Sequence, residues 1–252
     1  MIYIRSLLTN FFFFLIMMIG CIITLFVGPF SRRGTIYLWD KMVMPLVFRF
    51  VRFFAGLKLE FRGLENISKM PALYACKHES ALETYAFTQP VPTCTYVLKK
   101  ELVYMPFFGW TQYFYGMVPV DRKGGAKAMK NMLKGVSKIV GEGRPVVVFP
   151  EGTRCKPGTT KGYKSGFLFL AENLKLKVVP VAVNTGLFWA KNSFLRYKGT
   201  AVIEFLPAMS VSKNEDKKDF MARLEKVIED KCAELNKEAV SKYPWVKKNL
   251  GA

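Results

Sequence analysis

The sequence predicts an α/β fold, a mixed, largely parallel sheet flanked by helices, preceded by an N-terminal membrane-associating helical hairpin. Two observations carry this. From residue 58 onward, short apolar runs of strand length alternate with stretches whose apolar residues recur at helical spacing. Before that point the chain is almost continuously apolar, with no charged residue from Ser6 to Ser31. The organisation that follows is a helix pair over 1–57 and an α/β domain over 58–252. With 51% hydrophobic residues in 252, the chain can bury a core of that size.

Residues 11–30 are long enough to cross a hydrocarbon core of about 30 Å as a helix. A cleaved signal peptide is the rival reading. It is disfavoured because Arg5 is the only early charge and Gly28-Pro29-Phe30-Ser31-Arg32-Arg33 offers no small-residue cleavage site. Residues 36–57 are apolar but interrupted by Asp40, Lys41, Arg49 and Arg52, which suits a partner helix at the interface with its basic side chains reaching for headgroups. Gly28-Pro29 and Ser31-Arg32-Arg33-Gly34 form the turn between them. Whether the pair spans or only dips into the bilayer stays open, and a fully buried core hairpin is the alternative. The basic surplus after Phe30 places the body on the cytoplasmic side of the membrane.

In the body, 58–61, 72–77, 93–98, 145–149, 178–184 and 201–205 read as strands, and 113–120 as a further extended stretch. Helices are expected over 81–89, 126–140, 163–173 and 217–240. Met129, Met132, Leu133, Val136, Ile139 and Val140 fall on one helical face, ended by Gly141 and Gly143. Pro106-Phe107-Phe108-Gly109-Trp110 reads as an aromatic turn.

Lys and Arg number 38 against 19 Asp and Glu, a formal net charge of +19. Such a surplus calls for a polyanionic partner. The apolar N-terminus selects a membrane over nucleic acid, for which no reader motif is present. Five scattered cysteines and a single histidine make a poor metal set, so free thiols and no metal site are expected.

That histidine, His78, follows a buried strand, and histidine is the side chain suited to proton transfer near neutral pH. Glu83, five residues on, can hold one ring nitrogen and fix the tautomer. Equally, Ser80-Ala81-Leu82-Glu83 fits a capping box, and spacing alone does not choose. A second cluster, Glu151-Gly152-Thr153-Arg154, joins a glycine that permits close backbone approach to a planar cationic fork. Lys99-Lys100 and Arg122 each end an extended stretch and can point to the same edge. Cys155, inside the glycine loop, shows no sign of being a nucleophile.

Together these stretches resemble the glycerolipid acyltransferase family. His78 with Glu83 stands where the family has H-x4-D. Lys99-Lys100-Glu101-Leu102, Pro106 to Gly109 and Val118-Pro119-Val120-Asp121-Arg122 resemble its second motif. Phe149-Pro150-Glu151-Gly152-Thr153-Arg154 matches the third, with Cys155 where Ser is usual, and Val178 to Val183 resembles the fourth. The resemblance implies that His78 is the general base and that Glu83 orients it. It implies that Lys100, Arg122 and Arg154 bind an acceptor phosphate, with Glu151, Gly152 and Thr153 shaping that site. The implied reaction moves a fatty acyl group from an acyl carrier protein or coenzyme A thioester to lysophosphatidate among membrane lipids, with no cofactor. Other acceptors, such as glycerol-3-phosphate, another lysophospholipid or a lyso-aminolipid, and a non-catalytic anionic-lipid-binding module are the alternatives.

Overall fold

A computed structural model describes residues 1–121, 124–210 and 215–251. The N-terminal region forms α1 (Ile2–Val27), α2 (Arg32–Tyr37), a π-helical segment (Leu38–Val43) and α3 (Met44–Ala55). The widened turns fall just before Pro45, whose ring nitrogen cannot donate to the carbonyl one turn back. The body continues through β1 (Leu57–Arg62), β2 (Leu73–Cys76), α4 (Leu82–Ala86), β3 (Thr95–Lys99), α5 (Phe108–Tyr115), β4 (Val118–Val120) and α6 (Gly125–Gly141). It closes with β5 (Val146–Val148), α7 (Gly166–Asn173), β6 (Val178–Val183), α8 (Thr185–Phe188), β7 (Gly199–Phe205) and α9 (Lys217–Lys242).

The described strands form one seven-stranded sheet in the order β1-β7-β6-β2-β5-β3-β4, parallel except at β6–β7. Its centre is set by strands that are apolar at every position. In β2, β5 and β6 each residue is buried, as parallel strands covered on both faces require. Pro119 is tolerated in β4 because that strand is at the sheet edge. α6 turns Met132, Val136 and Ile139 inward, and α9 does the same with Phe220, Leu224, Ile228 and Cys232.

Register decides where the chemistry lands. β2 pairs with β5 so that Ala75 faces Val148. His78 and Glu151 each lie three residues further on, at the same carboxyl edge. β6 runs parallel to β2 and delivers Thr185 there, and β3 delivers Lys99.

The extended stretch expected over 113–120 is a strand only at Val118–Val120. Tyr113–Tyr115 close helix α5, which ends at Gly116 in the left-handed conformation (φ 88°). Its helix begins inside the aromatic segment read as a turn, at Phe108. α4 is shorter than 81–89, and α7 starts at Gly166 rather than at 163.

α1 is long and apolar enough to cross a membrane, yet it lies against the body along its length. Ser6 Oγ accepts from Arg196 N, Asn10 Nδ2 donates to Phe194 O, and the Phe13 ring meets Tyr85 and Trp189. Its buried side carries Ser6, Thr9, Asn10 and Thr24, while Phe11, Phe14, Met18, Ile22 and Phe26 face outward. The helix thus buries its polar residues together with Phe13, Ile16, Met17 and Cys21, and leaves an apolar face outward.

Candidate active site

The loop leaving β2 cannot continue as strand, because the next turn must hold a buried polar cluster. Lys77, Glu79, Ser80 and Glu83 are all fully buried. His78 Nδ1 lies 2.8 Å from Glu83 Oε1. The same oxygen accepts from Glu79 N (2.9 Å) and Ser80 N (2.7 Å), and Glu83 Oε2 accepts from the Thr185 hydroxyl (2.6 Å). Ser80 Oγ accepts from Leu82 N at 3.0 Å. Glu83 therefore closes the helix cap and holds the imidazole with one atom. Since a carboxylate only accepts, the ring carries its hydrogen on Nδ1 and keeps a lone pair on Nε2.

The ring is fixed from the other side by Phe149, stacked at 3.9 Å and 19°. His78 stays partly open, with 17% of its side chain exposed. It lines a cleft of about 390 Å³ whose wall includes Tyr96, Lys99, Phe149, Gly152 and Arg154.

Beneath the histidine lies an ion cluster. Lys77 Nζ, fully buried, donates to Glu151 Oε1 (2.8 Å), Glu229 Oε1 (2.8 Å) and Thr159 O (2.7 Å). Burial works against that charge, but the hydrogen bonds to Glu151 and Glu229 outweigh it and hold the amine above the ordinary lysine range. The other Glu151 oxygen accepts from His78 N at 3.2 Å, and Cys155 N donates to His78 O at 2.8 Å. Motif loops far apart in sequence are thus bonded directly to the histidine's own peptide.

Glu151 points its carboxylate inward to this cluster, so its part in the cleft is to brace the loop. Gly152, at φ 67°, and Arg154 line the cleft, whereas Thr153 does not. Lys100 pairs with Asp121 at 2.9 Å and lines a neighbouring hollow with Tyr104 and Lys127, while Lys99 faces His78's cleft. Arg122 lies outside the described residues. Sequence reasoning missed Thr185, Lys77 and Phe149 as parts of the site; only the last carried a signal, its place directly before Pro150 in the glycine-loop motif. Cys155 is buried, and burial raises its thiol to about 11, so it is no ready nucleophile.

The site of this α/β protein is a carboxylate-held imidazole at the carboxyl edge of a largely parallel sheet, beside a cationic glycine loop, a set of groups able to take a proton and to attract an anion. The Acyltransferase family profile matches residues 58–184, and the chain belongs to that family. It is 37% identical over 158 residues to the 1-acyl-sn-glycerol-3-phosphate acyltransferase of Pseudomonas aeruginosa, covering 63% of this chain and 62% of that protein. It is 30% identical over 190 residues to a putative 1-acyl-sn-glycerol-3-phosphate acyltransferase of Caenorhabditis elegans, covering 74% and 72%. The chain thus spans just under two thirds of the Pseudomonas relative. The crystal structure of the 1-acyl-sn-glycerophosphate (LPA) acyltransferase from Thermotoga maritima shares the fold. Its TM-score is 0.75 at 19% identity, over 93% of this chain and 99% of that one.

Proposed function

We propose that this protein transfers a fatty acyl group from an acyl thioester to the sn-2 hydroxyl of 1-acyl-glycerol-3-phosphate, giving phosphatidate at a membrane surface. The observation that carries the reading is the 2.8 Å contact between His78 Nδ1 and Glu83, which leaves Nε2 as a base in a cleft shared with Arg154. Relatives named for this activity support the choice of acceptor.

Nε2 takes the proton of the acceptor hydroxyl as its oxygen attacks the thioester carbonyl. When the tetrahedral adduct collapses, the carbon–sulfur bond breaks and the thiolate leaves with that proton from the imidazolium. Glu83 stabilises the transient positive ring. Arg154 and Lys99, which line the same cleft, supply the charge for the acceptor phosphate together with Arg122. The thioester, on acyl carrier protein or coenzyme A, is a co-substrate, and no resident cofactor is needed.

The outward apolar face of α1 supports membrane association, with the body beside it rather than strung below a spanning anchor. The net charge of +19 favours an anionic cytoplasmic leaflet, in keeping with a bacterial inner membrane.

The test is thiol release by purified protein, crossing both donors with several acceptors. Wild type should turn over lysophosphatidate, and His78→Ala should lower the rate by roughly 10²–10⁴, the usual worth of a general base. Near wild-type turnover by His78→Ala, or preference for an acceptor without phosphate, overturns the proposal.

A further inference from the structure

Beside the His78 cleft lies a second cavity, of about 490 Å³, that does not include the histidine. Arg154 lines both. Its basic lining is completed by Lys156, Lys161, Lys191 and Lys248, drawn from three separate parts of the chain. Several surface cations meet carboxylates, as Arg62 meets Glu238, Lys100 meets Asp121 and Lys217 meets Glu172. Among the described residues none of these five cations has such an ion pair. Lys191 Nζ donates to Arg154 O, and Lys248 Nζ sits 4.9 Å from the centre of the Tyr197 ring.

The one carboxyl lining the cavity is Glu79. It is fully buried; Oε2 accepts from Gly186 N at 3.0 Å, and Oε1 has no partner. Burial, with the charges of Glu83 and Glu151 nearby, pushes this carboxyl well above its usual range. A neutral Glu79 can donate a hydrogen bond into the cavity, so it does not oppose an anion there.

The reading above places the acceptor's phosphate in the other cleft. In 1-acyl-glycerol-3-phosphate it is joined to the reacting hydroxyl through only a few bonds, so it stays in the cleft that holds His78. The donor differs. In both coenzyme A and acyl carrier protein thioesters, the sulfur is separated from the nearest phosphate by the whole pantetheine arm. We propose that the cavity of Lys156, Lys161, Lys191 and Lys248, which Arg154 separates from the His78 cleft, binds the phosphate of the donor's phosphopantetheine arm, holding the thioester end at His78. This rests on the thioester-donor reading above.

The test uses the full-length, detergent-solubilised protein and the variant Lys156→Ala/Lys191→Ala/Lys248→Ala, whose altered residues are exposed. A control, Lys130→Ala/Lys134→Ala/Lys138→Ala, removes the same charge from the exposed face of α6. By calorimetry, wild type should bind 4′-phosphopantetheine about 10-fold or more tightly than pantetheine, the worth of a charge-assisted contact. The cavity variant should lose that difference and the control keep it. In turnover, the cavity variant should raise donor KM about as much for both thioesters, leaving acceptor KM unchanged. Equal binding of phosphopantetheine and pantetheine by wild type overturns the proposal, as does a rise in acceptor KM alone. A loss seen with coenzyme A and adenosine 3′,5′-bisphosphate but not with phosphopantetheine or the carrier protein assigns the site to the nucleotide and overturns it too. Should wild type consume no thioester, the proposed reaction fails, while the binding comparison still decides the cavity.

Discussion

The two sides of the loop carrying His78 are built on opposite terms. On the interior side, Lys77 meets Glu151 and Glu229, and Glu83 accepts from the imidazole, two peptide N–H groups and the Thr185 hydroxyl. On the open side, Arg154 and the lysines around it face a cavity with no ion-pair partner among the described residues. Matched charges in a dry interior have few alternative arrangements, so they fix position. Unmatched cations at a rim keep their field for a ligand. On the proposed function, the difference separates residues that hold the base still from residues that recognise what it acts on, and mutations on the two sides should fail differently.

The largest effect is expected on the interior side and in stability. Lys77→Met keeps much of the volume but leaves Glu151 and the partly exposed Glu229 without their cation. Breaking one partner of a buried ion pair costs about 3–5 kcal/mol. Chemical denaturation should show a loss of that order. Lys77→Met/Glu151→Gln should recover part of it, because the fully buried one of the two stranded charges is gone. A single variant as stable as wild type would show that the cluster does not hold the loop.

Next is Glu83→Gln. The amide oxygen can take the place of Oε1, and the amide N–H₂ can donate to Thr185 Oγ1, so the bonding pattern survives and only the charge is lost. The protein should fold normally while kcat falls about 10²-fold, since the imidazolium formed in the reaction loses its counter-charge. A loss of stability with unchanged kcat would reverse the assignment, making Glu83 a cap alone.

The two sides were also unequally legible in the sequence. His78 stood out as the sole imidazole. Glu83 could not be assigned by spacing because both roles require the same atom at the same distance, and the structure shows Oε1 filling both. The strands were legible wherever every position is apolar, as in β2, β5 and β6. Helix α5 was not, since its aromatic residues fit either period and only the left-handed Gly116 closes it as a helix. Lys77 was hidden because its burial depends on Glu229, 152 residues away on α9; Thr185 reaches Glu83 from 102 residues away. Lys99 and Lys100 could not be told apart, for neighbouring residues at a strand end point to opposite sides.

A smaller effect should appear in the pH dependence of stability. Folding raises the Glu79 carboxyl well above its usual range, chiefly by burial. The native state then binds a proton that the unfolded chain has lost, from about pH 4.3 upward. Stability must fall as pH rises through that window, by up to about 1.4 kcal/mol per pH unit, until the folded-state value is passed. Glu79→Gln removes this contribution. The variant should match wild type near pH 4 and exceed it increasingly toward neutrality, as followed by denaturant midpoints. A difference that stays constant with pH would mean Glu79 is ionised in the fold and its unpartnered Oε1 is no hydrogen-bond donor.

The smallest effect discriminates between adjacent lysines on the open side. Lys99 lines the His78 cleft, whereas Lys100 turns to Asp121 and a neighbouring hollow. Both are about half exposed, and Lys99 lies 3.3 Å from Glu101, so solvent and a nearby carboxylate weaken what either can offer a phosphate. Lys99→Ala should raise acceptor KM roughly 5-fold, the scale of an exposed charge contact, with kcat nearly unchanged. Lys100→Ala should stay close to wild type. The salt dependence gives a second readout, because the Lys99 effect should shrink as ionic strength rises. If Lys100→Ala carries the larger KM effect, its contact with Asp121 gives way when the acceptor binds, and the phosphate is held on the side of β3 that faces the neighbouring hollow.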